Sequence, residues 1–191
     1  MFLFLHVTGN TSPEYLQAEK HLQELLQRGY HGREYSSGSA PETFFPPRIA
    51  YVENFEYRPD NLPQCCTDVQ KLIAEIVHHK ELGNIIHVVA LGCGIAAPFV
   101  LKHFPWWVAD GLLLYRPNFN HTPAALRPFT GTGGPIALLA EPDDYVYYQY
   151  QFRQEHFGEF GLHLAEELEE QLECFFTDID FMGLSAGETN D

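Results

Sequence analysis

The chain has 191 residues, 45% of them apolar and 14% aromatic, which suits one domain with a sizeable core and excludes a disordered chain. Its 11 lysines and arginines stand against 26 aspartates and glutamates, a net charge of −15 that opposes any broad phosphate-binding surface, so nucleic acid is excluded as a partner. Cys65, Cys66, Cys93 and Cys174 show neither a CxxC pair nor metal-finger spacing, and read as reduced thiols of a cytoplasmic protein.

Phe2 to Val7 is a continuous apolar run closed by Thr8-Gly9-Asn10, and predicts a strand buried on both faces. The run is too short and lacks the basic flank of a signal segment or membrane span, so no membrane association is expected. Ser12 as N-cap and Pro13 at the first helical position open a helix, with Leu16, Leu22, Leu25 and Leu26 on its apolar side and Gly29 at its end. From Tyr30 to Pro63 the pattern is loop-like, with one strand inside Arg48 to Tyr57. Asn61 and Pro63 start a second helix, whose Val69, Leu72, Ile73, Ile76 and Val77 recur at helical spacing until Gly83. The strand "IIHVVA" follows, then a glycine turn and a helix to about His103. "ADGLLLY" (Ala109 to Tyr115) and "PIALLA" (Pro135 to Ala140) are further buried strands, and Tyr145 to Phe152 alternates aromatic with polar residues as an edge strand would. "GLHLAEELEEQLECFF" reads as an amphipathic helix with Leu164, Leu168, Leu172 and Phe175 inward. The domain is expected to span residues 1–182, with 183–191 a flexible tail.

Buried strands alternating with helices imply an α/β fold: a mostly parallel sheet with helices on both faces, because each parallel connection must cross over. Ligands of such sheets bind at the carboxyl ends of the strands, here "HVTGN", "ALGCG", "YRPNF" and "AEPDD".

These segments resemble an α/β-hydrolase-like protein, lidless and trimmed, from Phe2 to about Asp180. "HVVALGCGIA" resembles the nucleophile elbow, in which a strand turns sharply into a helix. The backbones approach so closely there that the residues two before and two after the nucleophile must be small. With the nucleophile position at Gly92 these are Ala90 and Gly94; with Cys93 they are Leu91 and Ile95, which are too large. Gly92 cannot attack a carbonyl, so the covalent serine mechanism is not expected. The stretch "GCGIAAPFVLKHFPWWVADGLLLYRPNF" is similar to the N-myc downstream-regulated proteins, hydrolase-fold members without a hydrolase triad. The resemblance implies an oxyanion-type pocket from His6, Thr8 and Gly9 with the backbone of Gly92 and Cys93. It implies a triad acid at Asp143, with Asp144 beside it, and a base at His156, with His163 as the neighbouring candidate.

For each candidate a plainer reading stands beside the chemical one. Cys93 is either a thiolate nucleophile at a helix start or a small apolar filler. Asp143 with His156 is either a surviving acid–base pair or a turn-capping aspartate and a surface histidine. His6 suits a structural role at a strand end. His78 and His79 lack a partner four residues away, and no spacing among the ten histidines supports a metal, so none is expected. "GTGG" (Gly131 to Gly134) precedes a strand instead of opening a helix, which is the wrong order for a phosphate loop, and no cofactor is expected. Trp106 and Trp107 in one turn suit a protein interface, including a homo-oligomer. The expected function is a non-catalytic binding or scaffolding protein for a small molecule or protein partner. The alternative is a small ester or thioester hydrolase or lyase using Cys93 or the His156/Asp143 pair.

Overall fold

The apolar runs pair with one another, all in parallel. In the computed structural model, which describes residues 2–9, 12–27, 50–85, 87–105, 107–120, 122–126, 136–144, 146–149 and 161–164, the strands are β1 (Phe2–Thr8), β2 (Ala50–Glu56), β3 (His87–Cys93), β4 (Gly111–Tyr115), β5 (Ile136–Ala140) and β6 (Gly161–Leu164). Between them run α1 (Pro13–Gln27), α2 (Leu62–Glu81) and α3 (Ala97–His103). The sheet order is β2-β1-β3-β4-β5-β6, every neighbouring pair parallel, which makes the chain an α/β protein. From β1 the chain passes outward to β2 on one side, then returns to place β3 on the other side of β1. That reversal makes the carboxyl ends of β1 and β3 the switch point of the sheet, the place where ligands of open α/β sheets bind.

Alternation along each strand sends side chains to opposite faces. On one face Leu3, Leu5 and Val7 join Val88, Ala90, Leu112, Leu114 and Leu138 in a cluster closed by Val69, Ile73 and Ile76 of α2 and Phe99 and Val100 of α3. On the other face Phe4, Val89, Leu91, Leu113 and Leu139 are buried together with His6 and Cys93. A fully apolar strand such as β5, buried throughout, is what a parallel sheet covered on both sides requires.

Three segments differ from the sequence expectation. Residues 146–149 are helical, not an edge strand. A helical turn carries Tyr148 inward, where its hydroxyl donates to the Pro117 carbonyl at 3.1 Å, and leaves Val146 and Tyr147 exposed. Gly161–Leu164, expected to begin the last helix, is β6 and pairs with β5 from Ala137↔Gly161 to Ala140↔Leu164. Four residues are too few for periodicity to separate strand from helix, and backbone pairing at the sheet edge decides. The rest of that expected helix, and the tail, lie outside the described residues. The third segment is β3, which runs on through Leu91, Gly92 and Cys93 instead of ending near Ala90.

The start of β3 is anchored by charge. The Asp110 carboxylate accepts the Val88 N–H at 2.7 Å and the Lys80 ammonium at 3.0 Å, while Lys80 also donates to the Val108 carbonyl. One carboxylate thus ties the end of α2 to the edges of β3 and β4. Asp110→Ala strands a backbone donor and a lysine at once, and is expected to cost about 2 kcal/mol of unfolding free energy in a urea titration.

Among the described residues, Cys65, Cys66 and Cys93 form no disulfide. Among the described residues no helix is long and apolar enough to cross a membrane.

Candidate functional site

The turn after β3 is built from small residues because strand and helix nearly touch. A β-carbon at Gly92 would stand 2.9 Å from the Ala97 α-carbon and 2.8 Å from Val100 Cγ2, so the side-chain space at Gly92 is filled by α3. Gly92 lies within β3, paired with Val7 on one side and Leu114 on the other. The backbone instead turns at Gly94, whose φ is +51°, before the short 3-10 turn Gly94–Ala96 leads into α3. The Asn118 N–H donates to the Gly94 carbonyl at 2.9 Å and holds that turn.

These geometries move the apex from Gly92 to Gly94. The small flanks become Gly92 and Ala96, two before and two after, and the residue following the apex is Ile95 rather than Cys93. A strand that ends near Ala90, as its apolar run suggests, puts the turn two residues early, because β3 runs on to Cys93. Neither glycine carries a nucleophile, so the consequence for chemistry is unchanged.

The neighbouring strand end supplies the expected His6, Thr8 and Gly9. Thr8 Oγ1 donates to the Phe55 carbonyl at 3.4 Å, and its own carbonyl accepts the Tyr57 N–H at 2.9 Å. Gly9 has φ +140° and packs so closely on Tyr57 that a β-carbon would stand 2.2 Å from the Tyr57 carbonyl oxygen. This strand end is therefore held against the chain that follows β2.

His6 and Cys93 project to the same face of the sheet, and α1 brings Glu19 onto them. The His6 ring nitrogens, the Cys93 sulfur and the Glu19 carboxylate each offer an atom within 4.8 Å of the other two. The residues are 1%, 0% and 6% exposed, respectively. Burial pushes the His6 imidazole down to about 4, against a hydrogen bond to the Asn54 side chain that pulls the other way, so the ring is neutral at pH 7. Burial and then the Glu19 carboxylate push the Cys93 thiol well above its ordinary range, so it is protonated at pH 7. A buried, protonated thiol is a poor nucleophile.

Glu19 was not singled out in the sequence. The expected apolar side of α1 included Leu16, but Leu16 is exposed; α1 is rotated so that Tyr15 and Ala18 are half-buried and Glu19 is buried.

Above this cluster the strand ends carry a polar rim. The Tyr15 hydroxyl donates to the Arg116 carbonyl at 3.3 Å, its ring meets Tyr115 edge-on, and the Tyr115 hydroxyl donates to Glu141 Oε1 at 2.9 Å. The Arg116 guanidinium pairs with Asp144 at 2.6 Å and with Glu14 of α1. Asp144 is thus held by an arginine, while Asp143 is exposed in the short turn Pro142–Asp144. His163 belongs to β6, and His156 lies outside the described residues, as does Trp106; Trp107 is 52% exposed.

Comparison with known protein families, curated proteins and solved structures finds no match to this chain.

Proposed function

We propose that the chain is an α/β-hydrolase-like protein without a nucleophile, which binds a small molecule or a protein segment at the carboxyl ends of β1 and β3. The observation that carries this reading is the turn at Gly94: a sharp strand-to-helix turn with small flanks, resembling a nucleophile elbow, with glycine at its apex. The all-parallel sheet is compatible with the hydrolase fold. A turn that keeps its shape and lacks its attacking atom can position a ligand without forming a bond to it.

The second reading is a hydrolase using Cys93, favoured by the closeness of its sulfur to His6 and Glu19. Against it stand the burial of that sulfur and its raised pKa. Turnover of short acyl esters and thioesters by the native chain, by Cys93→Ala and by His156→Ala separates the two. The binding reading expects no turnover that depends on either residue, and turnover lost in Cys93→Ala would replace it with the hydrolase.

A further inference from the structure

Three donors of different chemistry, from β1, α1 and β3, converge in the buried layer between α1 and the sheet. We propose that His6, Glu19 and Cys93 bind one zinc ion, which clamps α1 onto the centre of the sheet. The inference does not depend on the binding reading, since it rests on three buried side chains and not on the missing nucleophile of the turn.

The donor set suits this ion. Zinc is borderline-soft and takes imidazole nitrogen, thiolate sulfur and carboxylate oxygen together, whereas magnesium and calcium ask for oxygen alone. Charge agrees as well. A carboxylate and a thiolate buried side by side repel each other in a medium of low dielectric, and a divalent cation between them makes the group neutral. Binding releases the Cys93 proton to solvent, because zinc takes cysteine as the thiolate and histidine as the neutral imidazole.

The geometry agrees too. Three atoms mutually within 4.8 Å share a point about 2.8 Å or less from each, against zinc bonds of about 2.0–2.3 Å, so inward movements of well under 1 Å complete the contacts. Such movements are within reach of small side-chain rotations. The Asn54 side chain bonded to His6 supplies the outer partner that orients a ligating imidazole. Asn54 stands directly opposite His6 in the β1–β2 pairing, so that partner is held by strand register.

The other cysteine–histidine approach among the described residues is Cys66 Sγ to His103 Nε2 at 3.6 Å, on the α2–α3 side. It serves as the internal control.

The test uses the full chain, stripped with a chelator and titrated with cobalt(II) as a spectroscopic stand-in for zinc. One equivalent is expected to bind with a near-ultraviolet thiolate-to-metal charge-transfer band. Cys93→Ser should abolish the band, and Glu19→Gln should weaken binding by more than about 100-fold, beyond what loss of an outer-shell partner costs. Cys66→Ser and His78→Ala/His79→Ala should leave both unchanged. Because the ligand variants alter buried positions, the native chain loaded with zinc gives an independent reading. Its X-ray absorption fine structure should contain one sulfur at about 2.3 Å with nitrogen or oxygen at about 2.0–2.2 Å. Absence of stoichiometric binding, a band that survives Cys93→Ser or disappears with Cys66→Ser, or a zinc shell without sulfur would each overturn the site.

Discussion

A serine placed at Gly92 is expected to lower the unfolding free energy by about 3 kcal/mol and to create no acyl-transfer activity. Its β-carbon would fall 2.9 Å from the Ala97 α-carbon, a backbone atom that can retreat only if α3 lifts from β3. The hydroxyl would then be buried beneath the helix, away from the strand ends. Gly94→Ala forms the contrast. Its φ of +51° is tolerated by an L-residue at a cost of about 1–2 kcal/mol, so the change at the apex should cost less than the change within the strand. Urea unfolding of the two variants beside the native chain tests the order. A Gly92→Ser chain as stable as the native one, or one that hydrolyses esters, would return the turn to Gly92.

Gly9→Ala is expected to cost more, about 4 kcal/mol, because two penalties coincide. The backbone there has φ +140°, a region that residues with a β-carbon rarely occupy, and the added carbon would press within 2.2 Å of the Tyr57 carbonyl oxygen. Relief requires parting Thr8 from Tyr57, whose backbone hydrogen bond closes the carboxyl end of the β1–β2 pair. The Tyr57 ring stacks on Phe99 at 4.7 Å between ring centres, so the disturbance passes to α3 and the turn before it. Thermal unfolding followed by circular dichroism should show the largest fall in Tm among these glycine variants.

Strands buried on both faces carry nearly uninterrupted apolar runs, and four such segments, β1, β3, β4 and β5, could be placed from their residues; helix α2 followed from the proline near its start and the spacing of its apolar residues. Tyr145 to Phe152 misled because aromatics spaced two apart also fit a helical turn that buries one of them, here Tyr148. The start of the last expected helix was illegible because Gly161–Leu164 is fixed by pairing with β5, a contact with no trace in four residues of sequence.

The turn was readable as a turn, yet its apex was not. Small flanks are satisfied both by Ala90 and Gly94 around Gly92 and by Gly92 and Ala96 around Gly94. Only the length of β3 and the positive φ at Gly94 choose between them. The donor cluster was hidden more deeply, since His6, Glu19 and Cys93 stand 13 and 74 residues apart and meet only through the parallel order of β1 and β3 with α1 across them. Glu19 reads as solvated because glutamates on helices usually are. The rotation of α1 that exposes Leu16 brings it inside.

The absence of an attacking atom at the turn is tested most directly by the intact mass of the native chain. It is incubated with a fluorophosphonate and, separately, with an activated acyl ester, and the reaction is stopped in acid. The unmodified mass is expected in both, at any incubation short enough to spare surface residues. A stoichiometric phosphonyl or acyl adduct mapped to any residue from Leu91 to Ala96 would contradict it.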